Sequence, residues 1–378
     1  MKSFYRKTRE ELHRIPELAL EEYKTAQYIR DFLKNLDIQY REIGTSTVAL
    51  IPGEQDRWIA YRADIDALPM REETGADYRS QHDGCMHACG HDAHVTNLLY
   101  FAKWLKENRD RGMPLHKSVM LIFQAAEEGE GGAKVIAEDP LYRNREIEGI
   151  FALHVYPEIP EGKASTLPGP MTYQSINLDI KIWGKGCHGA QPFKGIDSIL
   201  IGAKLVEAYQ SIVSRNIDSE EPIVLTIGSF HAGTVRNIIP EKVELLGTIR
   251  LINRNLIPLV QKRIEDINEG FQKAFGVKIE MNFQPNYPGI VNSSELFKVF
   301  EKAVPEESRY SGMKLSGSED FSFYMEGGVP GLMFLLGTGN REKGFDYALH
   351  NSKFDLDPEE LTLGFEIFKN LLQEMEGI

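Results

Sequence analysis

Two of the three cysteines and three of the ten histidines fall within Gly84-Cys85-Met86-His87-Ala88-Cys89-Gly90-His91-Asp92-Ala93-His94. Thiolate and neutral imidazole are the donors that a borderline-soft divalent ion such as zinc takes, and manganese, cobalt and nickel accept them alongside carboxylates. On this stretch alone two readings stand open. One is a structural zinc knuckle made of Cys85, Cys89, His91 and His94. The other is a catalytic metal centre. Structural sites usually draw ligand pairs from separated segments, whereas here the donors crowd onto one loop and the start of a helix. A catalytic centre requires further donors from elsewhere in the chain.

Three β-like runs end in such groups. The run 58–63 leads into Asp64-Ile65-Asp66, the run 118–124 into Ala126-Glu127-Glu128-Gly129, and the run 149–153 into His154. In open α/β sheets the functional crevice lies beyond the carboxyl ends of the strands, so these groups are expected to converge. Two divalent ions about 3.5–4 Å apart can lower the pKa of a water held between them and clamp a tetrahedral intermediate, which takes several donors with at least one bridging. The donors assigned are Cys89, His91, Glu128, His154 and His350, with the Cys89 thiolate bridging. The ions expected are zinc, manganese, cobalt or nickel. Adjacent side chains on an extended segment point in different directions, so Glu127 is assigned as the general base that takes the proton of water and returns it to the leaving amine. Asp64 is assigned as the acid that orients a ligand histidine, with Asp66 its rival.

The elements that must hold these residues read as an α/β protein with a largely parallel, buried sheet. Two helices are expected within residues 2–36. A hairpin is expected from the runs 47–51 and 58–63, joined by Pro52-Gly53-Glu54-Gln55. The metal loop should feed the N-terminus of a helix carrying Val95, Leu98, Leu99, Ala102 and Leu105. From about Thr172 the order becomes β-α-β-β-α-β, the ferredoxin-like order. An inserted domain is therefore expected at 173–285, within a catalytic domain made of 1–172 and 286–378. In the insert, Gly184-Lys185-Gly186-Cys187-His188-Gly189-Ala190 leaves His188 accessible between glycines. Arg236-Asn237 offers a charge and an amide for a substrate carboxylate or carbonyl. His13, His82, His87, His94, His116 and His231 are read as structural, and Ser316-Gly317-Ser318-Glu319-Asp320-Phe321 as a polar turn.

Composition bounds the partners. At 378 residues, with 42% apolar residues, a net charge of -13 and no basic run, the chain suits two domains and argues against nucleic acid or an anionic membrane. Neither an apolar leader nor a stretch of ~20 apolar residues is present, so a cytoplasmic location is expected. The cysteines are expected to be reduced.

The motifs Leu12-His13-Arg14-Ile15-Pro16-Glu17-Leu18, Arg62-Ala63-Asp64-Ile65-Asp66-Ala67-Leu68-Pro69, Met86-His87-Ala88-Cys89-Gly90-His91-Asp92, Phe123-Gln124-Ala125-Ala126-Glu127-Glu128-Gly129 and Ala152-Leu153-His154 resemble those of the M20 peptidase and amidohydrolase family. The likeness is to its branch of hippurate hydrolases, auxin-conjugate hydrolases and N-acetyldiaminopimelate deacetylases, and it runs along essentially the whole chain. The resemblance implies a dinuclear catalytic domain, a ferredoxin-like lid that often mediates homodimers, and hydrolysis of an N-acyl amino acid. It implies metal binding by Cys89, His91, Glu128, His154 and His350, with Glu127 as the base. It also implies an oxyanion role for His188, in many relatives from the partner subunit.

Three departures stand out. Gln-Ala-Ala-Glu-Glu replaces the usual Gln-Pro-Ala-Glu-Glu, Gly-Lys-Gly-Cys-His-Gly-Ala replaces Gly-Lys-Gly-Gly-His-Ala-Ala, and Arg236 stands where small or uncharged residues are frequent. The first two keep every functional group; the third bears on substrate choice. Length and the motif around Asp64 most resemble the deacetylases, which implies release of acetate from N-acetyl-L,L-diaminopimelate on a route to lysine. The alternatives are a broad N-acyl-amino-acid amidohydrolase of hippurate hydrolase type and a metal-stabilised binding protein without catalysis.

Overall fold

The computed structural model describes every residue but Glu130, Ser316 and Ile378. The chain folds into two compact units, one made of Met1–Met171, Ile290–Lys314 and Glu319–Ile378, the other of Thr172–Gly289 and Leu315–Ser318. The stretch 173–285 lies inside the second unit, which extends a few residues further at each end and takes in the short segment 315–318. Each unit has its own apolar core.

In the first unit, helices α1 (Lys2–His13) and α2 (Tyr23–Asn35) precede strands β1 (Gln39–Ile43), β2 (Ser46–Ile51) and β3 (Gln55–Asp64). The metal-loop segment then opens α3 (His91–Asp110), followed by β4 (Lys117–Gln124), α4 (Gly132–Glu138) and β5 (Ile147–Pro160). One seven-stranded sheet has the order β1-β2-β4-β3-β5, then Gly331–Gly339, then Ala164–Ser165. Its four inner strands run parallel, and the flanking pairs are antiparallel. The inner strands are buried on both faces and so read as continuous apolar runs. Helix α3 lies on the sheet and against the last helix, Leu361–Glu376. The Tyr61 ring sits 4.7 Å from Phe101 and 5.1 Å from Phe368, and Tyr100 sits 4.8 Å from Phe365.

Two local expectations are corrected. β2 and β3 do not form a hairpin: β4 lies between them, antiparallel to β2 and parallel to β3. Their short connection passes over the start of β4, with Glu54 and Gln55 N–H groups bonded to the Leu115 and His116 carbonyls. Gly53 makes this crossing sterically feasible, since a Cβ there would lie 2.5 Å from the Lys117 backbone. In addition, β5 does not end at His154. It continues to Pro160 because its parallel neighbour 331–339 keeps pairing, with Leu335 opposite His154.

In the second unit, strand Gln174–Trp183, helix Ser198–Asn216, strands Ile223–Ala232 and Lys242–Leu251, helix Ile257–Phe275 and strand Lys278–Pro285 follow in that order. The sheet order is 223–232, 242–251, 174–183, 278–285, all antiparallel, which is the ferredoxin-like arrangement. Asp197 caps the first helix by accepting from the Ile199 and Leu200 N–H groups. Among the described residues, no helix is long and apolar enough to cross a membrane. All three cysteines are free.

Candidate metal centre

Backbone geometry brings the donor-bearing segments of the first unit together. Gly90 caps the N-terminus of α3 at φ +80, and a Cβ at this position would lie 2.4 Å from Val155 Cγ2. Only glycine allows the Cys89–His91 turn to sit this close to β5. His350 and Ala126 both adopt positive φ without being glycine. The surroundings hold them there: the His350 N–H bonds to the Ala88 carbonyl, and the Ala126 N–H to Glu22 Oε1 at 2.9 Å. Left-handed backbone at non-glycine residues is costly and concentrates at functional sites.

The five assigned donors fall into two groups, each with ligand atoms within 4.8 Å of one another: Cys89, His91 and His154, and Cys89, Glu128 and His350. Cys89 belongs to both. Its Sγ lies 3.4 Å from His154 Nε2, and His350 Nε2 lies 3.1 Å from Glu128 Oε1. His91 Nδ1 bonds the Asp66 carbonyl at 2.9 Å, and His154 Nδ1 bonds the Val155 carbonyl at 2.7 Å. Each ring thereby turns Nε2 towards the other donors, the arrangement in which a backbone acceptor fixes the tautomer of a ligand histidine. His91 Nε2 is buried with no hydrogen-bond partner.

Of the two aspartates weighed for orienting a ligand histidine, it is Asp66 whose carboxylate lies 3.2 Å from His91 Nδ1, and it also accepts from the Glu128 N–H at 2.9 Å. Asp64 instead bonds His94 Nδ1 and Arg62, and comes only within 3.6 Å of His91 Nε2. His94 has its second nitrogen occupied as well, accepting from the Val155 N–H at 2.9 Å. With both nitrogens engaged it cannot complete a knuckle with Cys85, Cys89 and His91. A pairing of Asp92 with His13 at 2.7 Å and with Arg9 at 3.1 Å anchors the start of α3 from behind.

The electrostatics ask for a cation. Burial pushes the Cys89 thiol well up, and Glu128, Glu127 and Asp64 push it further, so a thiolate here needs positive charge beside it. Burial opposes protonation of His91, but Asp64, Asp66 and Glu128 outweigh it and hold the ring up to about 10. Burial takes His154 down to about 4, leaving it neutral and able to ligate. Soft sulfur, neutral imidazole and carboxylate oxygen around an orphaned, buried nitrogen form a donor set that fits divalent ions.

Glu127, 7% exposed, lies beside the centre, with its ligand atom within 4.8 Å of those of His91 and Glu128, and also of those of Glu319 and Asp320. Burial raises its carboxyl well above the usual range, and Glu319, Asp320 and Glu128 add to the effect. A carboxylate with raised proton affinity suits a general base. From sequence, Glu319 and Asp320 read as a polar turn and Arg62, which joins them, stands in a motif with no role of its own. The available signal was a lone arginine within a strand otherwise apolar from Trp58 to Ala63, since a buried guanidinium must be paired. Ser316 of that turn lies outside the described residues.

In the second unit, His188 is exposed and pairs in register with Ile238, and the Gly189 N–H bonds the Asn237 carbonyl at 2.8 Å. His188 and the exposed Arg236-Asn237 segment are therefore neighbours.

Comparison with known proteins decides the family. The profile of peptidase family M20/M25/M40 matches residues 60–374. The chain belongs to the M20 peptidase family. A protein of Shouchella clausii named N-acetyldiaminopimelate deacetylase is 36% identical over 369 residues, covering 95% of this chain and 94% of its own length. A protein of the same name from Listeria monocytogenes is 34% identical over 371 residues, with 95% of each covered. The crystal structure of the Bacillus subtilis YXEP protein, described as a dinuclear metal binding peptidase from the M20 family, matches with a TM-score of 0.85 at 29% identity, covering 100% of this chain and 99% of that one. This M20 protein, of α/β fold class, is a hydrolase acting on amide bonds.

Proposed function

We propose that this M20 hydrolase removes the acetyl group from N-acetyl-L,L-diaminopimelate, giving L,L-diaminopimelate and acetate on a route to lysine. The observation that carries the hydrolytic reading is the sharing of Cys89 by two donor groups beside the buried Glu127. The substrate rests on relatives of that name along nearly the full chain.

Cys89, His91, Glu128, His154 and His350 would hold two divalent ions, with Cys89 common to both. Such ions lower the pKa of water and polarise an acyl oxygen. Glu127 takes a proton from the attacking water as its oxygen adds to the amide carbon. The same carboxyl then delivers that proton to the nitrogen as the C–N bond breaks, so acetate and the amine leave with atoms balanced. Asp66 keeps His91 in the tautomer that presents Nε2. We assign to His188 the role of oxyanion donor, supplied by either subunit of a homodimer formed through the second unit, and to Arg236 and Asn237 contacts to the substrate carboxylate. The adjacency of these three exposed residues supports their acting together.

The test is turnover of N-acetyl-L,L-diaminopimelate set beside hippurate. Faster acetate release from the former is expected. A strong preference for hippurate would replace this reading with a broad N-acyl-amino-acid amidohydrolase.

A further inference from the structure

Arg62 is 1% exposed, yet its guanidinium meets four side chains from three separate segments. Nε donates to Gln124 Oε1 at 2.8 Å, Nη1 to Asp64, and Nη2 to Glu319 Oε1 at 2.9 Å and to Asp320 Oδ1 at 2.8 Å. The acceptors are braced in turn. Gln124 Nε2 donates to both oxygens of Asp320, at 2.9 and 2.8 Å. Asp320 Oδ2 also accepts from the Ala133 N–H of α4 at 3.0 Å, and Glu319 Oε1 from the Phe321 N–H at 3.1 Å. Tyr324 closes the set by donating to Gln124 Oε1 at 3.2 Å.

Stability alone gives little reason for such an assembly. Apolar side chains of similar volume in place of a buried ion network are often neutral or stabilising. What the network does provide is fixed spacing. Arg62 ties the end of β3, which carries Asp64, to the end of β4, which leads through Ala125 and Ala126 to Glu127 and Glu128. It ties both to the 319–320 turn, whose carboxylates lie within 4.8 Å of Glu127.

We propose that Arg62 is a positioning residue for amide hydrolysis, holding the segment that bears Glu127 in register with the Glu319–Asp320 turn. This rests on the reading of Glu127 as the base. None of the four partners of Arg62 is among the five assigned donors, so its loss should leave ion binding largely intact. It touches no assigned substrate group, so its loss should fall on kcat rather than on KM. Lysine cannot replace it: a single ammonium keeps the charge but cannot reach acceptors spread around a planar fork.

The experiment compares wild type, Arg62→Lys and Glu319→Gln, measuring kcat, KM, ions per chain, and the thermal midpoint of the chelated protein. Glu319→Gln replaces the charged acceptor of Arg62 Nη2 by a neutral one, which weakens the tie between the turn and the ends of β3 and β4, and it carries the test if Arg62→Lys does not fold. Both variants are expected to lose at least about tenfold in kcat, with KM within about twofold and wild-type ion content. Glu319→Gln is also expected to keep a thermal midpoint near that of wild type when chelated, whereas Arg62→Lys, which leaves buried carboxylates unpaired, is expected to lower it. The proposal is overturned if kcat per folded, metal-loaded chain is unchanged, or if the loss of rate merely follows the loss of ions or of stability. If wild type itself hydrolyses no N-acyl amino acid, the proposed reaction fails and this inference with it. A hydrolysing wild type with unimpaired variants refutes the positioning role alone.

Discussion

Replacing Cys89 with alanine should abolish binding at both ion positions, whereas His154→Ala or His350→Ala should impair one. The asymmetry follows from membership: Cys89 belongs to both donor groups, His154 to one and His350 to the other. A thiolate available to both groups would also offset the repulsion between two dications held there. An ion present at 100 times its dissociation constant stabilises the folded state by about 2.7 kcal/mol, so two contribute about 5 kcal/mol. At roughly 2–4 °C per kcal/mol for a domain of this size, wild type should gain about 10–20 °C in thermal midpoint when ions are restored after chelation. His154→Ala should gain about half of that and Cys89→Ala almost none. The side chain is small, so packing loss will not obscure the effect, and both midpoints are read on the same protein with and without ions. Elemental analysis after gel filtration supplies the count. A Cys89→Ala protein that keeps the same ion-dependent gain as His154→Ala would show that the sulfur is not common to two positions.

Two further outcomes can be measured independently. His188→Ala should lower kcat by about 100-fold, on the order of 3 kcal/mol, without changing ion content, and parallel loss of ions and rate would make His188 structural. For His13, burial opposes the charged ring, but Asp92 and Glu72 outweigh burial and hold it up to about 9. A folded-state value above the usual one of about 6.5 gives stability that is fully present below pH ~6.5 and lost as pH rises through ~9, on the order of 3 kcal/mol. Denaturant midpoints should fall across this window in wild type and stay flatter in His13→Asn; equal slopes would place the proton elsewhere.

Much of the architecture was legible because local pattern and global fold agree. Uniformly apolar runs announced buried parallel strands, and the β-α-β-β-α-β order announced the second sheet. The donors stood out by chemical type, since sulfur and imidazole rarely crowd onto one loop without reason. Sequence order failed where pairing is non-local. Nothing within residues 47–63 signals that β4, more than fifty residues later, inserts between β2 and β3. The extent of β5 beyond His154 depends on a partner strand near the other end of the chain. The division of labour between Asp64 and Asp66 was equally hidden, because the two are separated by a single residue and both buried, and only ring orientation in His91 and His94 distinguishes them. The role of Arg62 was hidden for the opposite reason: Asp64 is two residues away, but Glu319 and Asp320 lie 257 and 258 residues further along the chain and meet it only after folding.

The central claim is that the carboxyl of Glu127 activates water at the centre built around Cys89. Its most direct test is acetate released per metal-loaded chain from N-acetyl-L,L-diaminopimelate by wild type and by Glu127→Gln, with ions counted in both. The account predicts steady release by wild type and, in the variant, a loss of roughly 100-fold or more, the range for a general base, with the ions still bound. Undiminished release by the loaded Glu127→Gln protein would contradict it.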